Sequence, residues 1–359
     1  MVKEKYERVD EIVKEELNQG TFPGAVVLVQ DQNEVLFHRS YGSRAEVPEE
    51  ETMETDTIFD LASLTKVVAT TTLAIKLVED GIWKLRDPLS RYVAEFDHSE
   101  VTLLNLLTHT SGLVPWVDLF SGKRDREDSL NKLFTDKWPI LNPVVPPGER
   151  VIYSDLNFIL LGIALTRVTG TDLGDLTRKK IFQPLNMDNS FFNPPDSLLE
   201  RIAPTEKSLR RGYVIRGEVH DENCYALAGI SGHAGLFSTT GDLANFLSML
   251  LNRGKFTGTR VVSASSISLF NQNFTSKLSE NRGLGWKLQG EESESAGDLL
   301  SKKSFGHTGF TGGSLWVDPL ESLGIIILTN RVHPERSRGQ DRINDFRARV
   351  NNAILGELT

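Results

Sequence analysis

The stretch Phe59-Asp60-Leu61-Ala62-Ser63-Leu64-Thr65-Lys66, with the apolar run behind it, decides how this chain of 359 residues is read. From Val67 to Ile75 there is no charge, glycine or proline, and the helical pattern continues through Leu77 and Val78 to Glu79, Asp80 and the stop signal Gly81. A helix apolar on most of its faces belongs in the middle of a domain. Ser63 and Lys66 sit three apart near its start, so their side chains share one face within a single turn. A hydroxyl beside an amine at the positive end of a buried helix is a nucleophile with a base at hand. The helix dipole favours the developing alkoxide, and desolvation is expected to pull the lysine pKa down. The pattern S-x-x-K is common by chance, so partners elsewhere in the chain must give it meaning.

The length allows a sizeable core and room for two domains. With 39% hydrophobic and 25% charged residues the composition is that of an ordinary globular protein. A net charge of -9, without a basic cluster, argues against nucleic acid or an anionic membrane surface as a partner. The single cysteine, Cys224, excludes an internal disulfide and reads as a small buried hydrophobe. None of the seven histidines forms an H-x-H or H-E-x-x-H pair, and there is no phosphate loop, so neither a metal nor a cofactor is expected. The charge-free run Leu156 to Thr166 is about half the ~20 residues a membrane span requires. It reads as a core helix, and no transmembrane segment is expected. Met1-Val2-Lys3-Glu4-Lys5-Tyr6 opens a charged helix rather than the apolar core of a secretory signal. As written the chain is expected in the cytoplasm, or in the periplasm or outside the cell if a leader has been trimmed.

In chain order, residues 3–18 place Tyr6, Val9, Ile12, Val13 and Leu17 at helical spacing. The β-rich runs Gly24 to Gln30 and Val35 to Tyr41, joined by the polar turn Asp31 to Glu34, read as a hairpin. From about residue 85 to 250 the periods are mostly helical: Val101 to Leu107, Leu156 to Val168, Leu173 to Phe182 and Leu243 to Leu251, separated by Pro- and Gly-rich loops. Strand signals return at Gly285 to Leu288, Ser304 to Thr308, Gly313 to Val317 and Leu323 to Thr329, before a last amphipathic helix from about Asp341 to Leu358. This order predicts an α/β (α+β) protein with one sheet assembled from both chain ends. Residues 1–60 and 255–359 would form the sheet domain, and 61–254 a mainly helical one carrying the Ser63 helix at the interface. An active site at their seam is the natural expectation.

Two further segments complete the Ser63-Lys66 pair: Val151-Ile152-Tyr153-Ser154-Asp155 before a helix, and Phe305-Gly306-His307-Thr308-Gly309-Phe310 at the end of a strand. With them the chain resembles the serine β-lactamase and penicillin-binding protein superfamily, in its class C-like esterase, carboxypeptidase and amidase branch. The signature of that branch is S-x-x-K, Y-x-N and K-T-G in this order, related to the class A triplet. Here it stands as Ser63-Leu-Thr-Lys66, Tyr153-Ser-Asp155 and His307-Thr-Gly309, within a resemblance spanning roughly residues 20–355. Leu107-Thr-His-Thr-Ser-Gly112 and Gly235-Leu-Phe-Ser-Thr239 are also similar to segments of that branch.

The resemblance implies a β-lactamase/transpeptidase-like fold: an antiparallel sheet flanked by N- and C-terminal helices, with an inserted all-helical domain. It implies a serine acyl hydrolase working through a covalent acyl-enzyme on an amide or ester. Ser63 would attack the carbonyl, while Lys66 and Tyr153 share its proton; a phenol ordinarily titrates at ~10, and an adjacent ammonium lowers that. The backbone N–H groups of Ser63 and Phe310 would form the oxyanion hole. Asp155, His307, Thr308, Gly309 and Trp116 are the expected substrate-binding residues, Trp116 being equally plausible as packing.

Two departures from the signature bear on specificity. His307 replaces a lysine that anchors a substrate carboxylate, and it carries that charge only in part at neutral pH. Asp155 replaces an asparagine; a carboxylate only accepts hydrogen bonds, and its charge should favour the ammonium form of Lys66. Peptidoglycan fragments are the substrate class implied by the branch, with small esters next and penicillins third. An acylated sensor or binding module without turnover is the reading from another class. There is no G-x-S-x-G elbow. His38, His98, His109 and His333 read as surface or satisfied core histidines, His109 as a turn cap. His220, Asp221 and His233 fall in a Gly-rich loop, residues 219–235, that could line the cleft without a catalytic role.

Overall fold

Apolar periodicity sets the N-terminal helix, Glu7–Asn18, with Val9, Ile12 and Val13 buried on one face. The computed structural model describes residues 6–135, 140–290 and 294–358. Lys3 to Lys5, the expected start of this helix, lie outside the described residues. β1 (Gly24–Asp31) and β2 (Val35–Ala45) then form the expected antiparallel hairpin, with β3 (Glu51–Thr52) on its outer edge. The Asp31 carboxylate closes the turn by accepting from the N–H groups of Asn33 and Glu34 at 2.7 and 2.8 Å.

β4 (Phe59–Asp60), β5 (Phe191–Phe192) and β6 (Leu236–Ser238) form a small sheet with β6 in the middle. β7 (Lys255–Phe256) and β8 (Thr259–Arg260) pair as a short hairpin. β9 (Lys287–Leu288), β10 (Phe305–Thr308), β11 (Ser314–Asp318) and β12 (Leu323–Thr329) complete the large sheet, whose order is β3-β2-β1-β12-β11-β10-β9. Its pairings are antiparallel throughout, and β1 meets β12 from Ala25 opposite Thr329 to Asp31 opposite Leu323. The first and last strands thus close on one another, and the sheet is built from both chain ends.

Both faces of that sheet are covered, so its central strands read as continuous apolar runs. Ala25, Val27 and Val29 of β1 pack with Val9 and Val13 of the N-terminal helix and Phe346, Val350 and Ile354 of the C-terminal helix, Ile343–Gly356. Val26 and Leu28 face the other way, into the larger core shared with the helical residues. At the middle of that core lies the helix Asp155–Thr169, buried from Leu156 through Leu165 and ended by Gly170 at φ 63°. Among the described residues no single helix is long and apolar enough to cross a membrane. Asp155–Thr169 and Leu173–Leu185 reach that composition only as a pair bent by 79°.

The Ser63 helix departs from the regular one expected. A π-helical turn, Lys66–Thr71, precedes the α-helix Thr72–Glu79. At this turn the Thr72 hydroxyl donates to the Val67 carbonyl at 3.0 Å, and the Thr70 hydroxyl donates out of the helix to Gly232 O at 2.6 Å. Such turns recur where a helix is shaped for function.

Candidate active site

Strand β4 ends at Asp60, whose buried carboxylate accepts from the N–H groups of Ala62 and His220 at 2.8 and 2.6 Å. The chain turns sharply here, with Ala62 at φ 45°, and the turn presents Ser63 at the mouth of the π-helical segment. Lys66 is fully buried, and its Nζ donates to Ser63 Oγ at 2.8 Å and to the His233 carbonyl at 3.2 Å. It also pairs with Asp155 Oδ1 at 2.8 Å and lies 4.9 Å from the centre of the Tyr153 ring. Burial by itself would lower the Lys66 pKa. The charges of Asp155 and Tyr153, with hydrogen bonds to both, outweigh it, and the net shift is upward. The expected depression by desolvation is therefore reversed, and Lys66 is an ammonium.

Tyr153 is held from behind by the 109–115 loop. Ile152 N–H donates to the His109 carbonyl at 2.8 Å, Ser154 N–H to His109 Nδ1 at 3.1 Å, and Asp155 N–H to the Pro115 carbonyl at 2.9 Å. The His109 ring stacks against Tyr153 with centroids 4.5 Å apart. Its Nδ1 also faces Asn157 Nδ2 at 3.2 Å, which places the imidazole proton on Nε2. Burial, then the charges of Arg282 and Lys66, hold its pKa well below the usual value. The expected turn cap is there as well: His109 sits at φ 57° just past the helix Leu103–Leu107, where Thr110 N–H closes on the Asn105 carbonyl at 2.8 Å. Its ring is in addition a neutral wall behind Tyr153. Asp155, expected to meet substrate, spends one oxygen on Lys66, although its side chain still borders the cleft.

The third segment comes from the end of β10. His307 Nδ1 donates to the Thr308 carbonyl at 2.8 Å, which leaves Nε2 as an acceptor without a partner among the described residues. The ring is buried, with its centroid 5.9 Å from that of Tyr153. Burial, followed by the charges of Lys66 and Arg282, pushes its pKa well below the ordinary value. The partial charge expected at neutral pH is absent, because the sequence does not show that the ring is enclosed beside two cations. Gly309 abuts the nucleophile turn; a Cβ there would lie 2.6 Å from the Leu61 carbonyl oxygen. The Thr311 hydroxyl ties the same loop to the Asp60 carbonyl at 2.7 Å. Neither Ser63 N–H nor Phe310 N–H donates to another described residue, so both are available to a ligand.

These segments open on one cleft of about 700 Å³, lined by Ser63, Tyr153, Asp155, His307, Thr308, Gly309, Phe310 and Trp116 among others. Trp116 and Phe310 are 47% and 42% exposed, so both offer apolar surface at its mouth. The loop at 219–235 does reach the cleft through His220, Asp221 and His233. His220 stacks on Phe310 at 5.5 Å, and His233 is fixed by Asp221 and Ser231, each at 2.8 Å. Asp155, Asp221 and His233 bring potential metal ligands within 4.8 Å of one another. The Lys66 ammonium already meets Asp155, and His233 Nε2 already meets Asp221, so this donor set is engaged by protein groups. The cleft is cationic despite the acidic chain: Arg210, Arg282, Lys287, Arg331, Arg336 and Arg347 border it, against Asp155, Asp221 and Glu222. None of these cations was visible as part of a site in the sequence, because no motif marks them.

The Beta-lactamase family profile matches residues 9–349. A protein of Escherichia coli O157:H7 named provisionally as a D-alanyl-D-alanine carboxypeptidase is 30% identical, over 96% of this chain and 86% of its own. An N-acetylmuramyl-L-alanine amidase of Bacillus subtilis is also 30% identical, over 92% and 81%. Two solved structures share the fold: EstCE1, named as a hydrolase with promiscuous acyltransferase activity, at TM-score 0.77 and 20% identity over 97% of this chain and 98% of its own, and a penicillin-binding protein homologue from Caulobacter crescentus at TM-score 0.76 and 19% identity over 97% of each. The chain belongs to the Beta-lactamase family and is a serine hydrolase of that type, acting on acyl groups.

Proposed function

We propose that Ser63 is the nucleophile of an acyl-enzyme mechanism whose substrate is a peptidoglycan-derived peptide. The observation that carries the reading is the contact of Lys66 Nζ with Ser63 Oγ at 2.8 Å while Asp155 keeps that lysine charged. A charged lysine is no base, so Tyr153, as the phenolate that the adjacent ammonium stabilises, takes the Ser63 proton and becomes the phenol as Oγ attacks the carbonyl. The negative charge that develops on the carbonyl oxygen is met by the N–H groups of Ser63 and Phe310. Tyr153 then returns the proton to the leaving nitrogen or oxygen, and water repeats the sequence to free the acyl product and Ser63.

The names of the relatives support a cell-wall peptide, and so does the cationic cleft. Arg282, beside the Tyr153 ring at 5.6 Å and paired with Glu280 at 2.6 Å, places a guanidinium near His307, where the imidazole itself is neutral. Substrate carboxylates would meet that charge, with Thr308 and Gly309 along the peptide and Trp116 against its apolar parts. Small esters are the second reading, favoured by the neutral acceptor at His307 Nε2. We also read the chain as two units, residues 1–60 with 255–359 and residues 61–254, the cleft lying at their seam.

The test compares hydrolysis of a D-Ala-D-Ala-terminated peptide with that of p-nitrophenyl acetate, in the parent and in Ser63→Ala. The expected result is turnover of the peptide that disappears in Ser63→Ala, a loss of about 10⁶-fold in line with removal of a serine nucleophile elsewhere. Peptide turnover unchanged by Ser63→Ala contradicts the mechanism; turnover of the ester alone selects the second reading.

A further inference from the structure

Arg331 and Arg347 are two buried guanidinium groups on the Phe310 side of the cleft, and neither meets a carboxylate among the described residues. Each sends its Nη2 to main-chain oxygens of the 309–313 loop. Arg347 Nη2 donates to the carbonyls of Gly309 and Gly313 at 3.1 and 2.8 Å, while its Nη1 meets Asn344 Oδ1 at 3.0 Å. Arg331 Nη2 donates to the Phe310 carbonyl at 2.7 Å, and its Nη1 to those of Arg336 and Arg338 at 3.1 and 2.6 Å. Burial, then the neighbouring charge of Arg331, pushes the Arg347 pKa down to about 9, which leaves it cationic at neutral pH.

Like charges buried side by side without a counter-ion are costly, and a neutral side chain of similar size would hold a loop as well. The position of the contacts says what the charge does. The Gly309 carbonyl and the Phe310 N–H belong to one trans peptide unit and point in opposite directions. A donor fixed on that oxygen from behind aims the N–H into the cleft, and a charged donor polarises the amide so that its N–H becomes the stronger donor. The loop is also tied by Gly312 N–H to the Gly309 carbonyl at 3.1 Å and by Thr311 to Asp60, so what Arg347 adds at that carbonyl is a charged donor, while Phe310 N–H has no partner among the described residues.

We propose that Arg347, backed by Arg331, is a positioning residue that orients and polarises the Gly309-Phe310 peptide as an oxyanion donor. This rests on the acyl-enzyme reading of the same site. The test measures four quantities in the parent, Arg347→Met and Arg347→Lys: kcat and KM for p-nitrophenyl acetate, affinity for a boronic acid that forms a tetrahedral adduct on Ser63, the unfolding midpoint, and the Phe310 amide proton resonance. In Arg347→Met the amide moves upfield and kcat falls at least ~10-fold, a part of the ~10²–10³ that loss of an oxyanion donor costs. Boronate affinity falls by the same factor, KM stays within about twofold, and the unfolding midpoint holds or rises. Arg347→Lys, which restores a cation, recovers part of kcat and of the amide shift. A Phe310 amide unmoved in Arg347→Met, or boronate affinity kept while kcat drops with the folded fraction, overturns the clamp. Ester turnover surviving Ser63→Ala overturns the acyl-enzyme reading instead, and the amide shift decides the clamp independently of it.

Discussion

Lys66 shows how opposing effects on one buried group are resolved by its neighbours. Its burial penalises charge, but a carboxylate at 2.8 Å and a phenol beside it favour charge more strongly. Asp155→Asn removes the largest favourable charge, so the Lys66 pKa falls and the alkaline limb of kcat/KM moves to lower pH; a profile identical to the parent's contradicts the role given to Lys66. The direction of Asp155's effect was legible in the sequence, because an acid two residues after Tyr153 in the second motif needs no coordinates to be placed. The neutrality of His307 was not, since it depends on enclosure beside Lys66 and Arg282, which lie far from it in sequence. The turn position of His109 was legible, but its ring contact with Tyr153 was not, since the fold makes it across 44 residues and only the Leu107-Thr-His-Thr-Ser-Gly112 resemblance pointed to it.

At the scale of elements, the site depends on close backbone approaches. The helix Asp155–Thr169 and the 231–235 loop cross where a Cβ on Gly232 would lie 2.1 Å from the Phe158 carbonyl oxygen, and Gly232 O in turn accepts from Thr70 of the π-helical turn. Gly232→Ala therefore forces these elements apart and is expected to lower the unfolding free energy by about 1–3 kcal/mol, read from denaturant midpoints; an unchanged midpoint would show that the crossing is loose. The apolar helix and strand runs were legible because burial writes itself as period. The π-helical turn was not, because a single widened turn leaves no period in the sequence, and the contact of Thr70 with Gly232 is made by a distant loop. A second element-level test lies at β3. Hydrogen bonding by Arg216, opposed in part by burial and reinforced by Arg44, lowers the Glu51 pKa from 4.5 to about 2. A depressed carboxylate contributes stability that is present above 4.5 and lost as pH falls toward 2, so Glu51→Gln should flatten the loss of stability across that window. An acid-unfolding curve parallel to the parent's would remove the ion pair from the account.

For the whole molecule, the closing of β1 on β12 brings the two ends of the chain into one sheet and sets the third signature segment, at the end of β10, against the turn that carries Ser63. Strand order was readable in outline from where apolar runs lie along the chain; the cleft's charge was not. A net charge of -9 sums the surface, whereas the cations that border the cleft arrive from residues 210, 282, 287, 331, 336 and 347. Convergence of Ser63, Lys66 and Tyr153 makes one chemical demand: the acyl group must pass through the Ser63 oxygen. Acid quenching during turnover of p-nitrophenyl acetate, followed by peptide mass analysis, tests this directly. The account predicts an acetyl adduct on the Ser63 peptide that is absent from Ser63→Ala, whereas steady turnover with an unmodified Ser63, or an adduct on another residue, would contradict it.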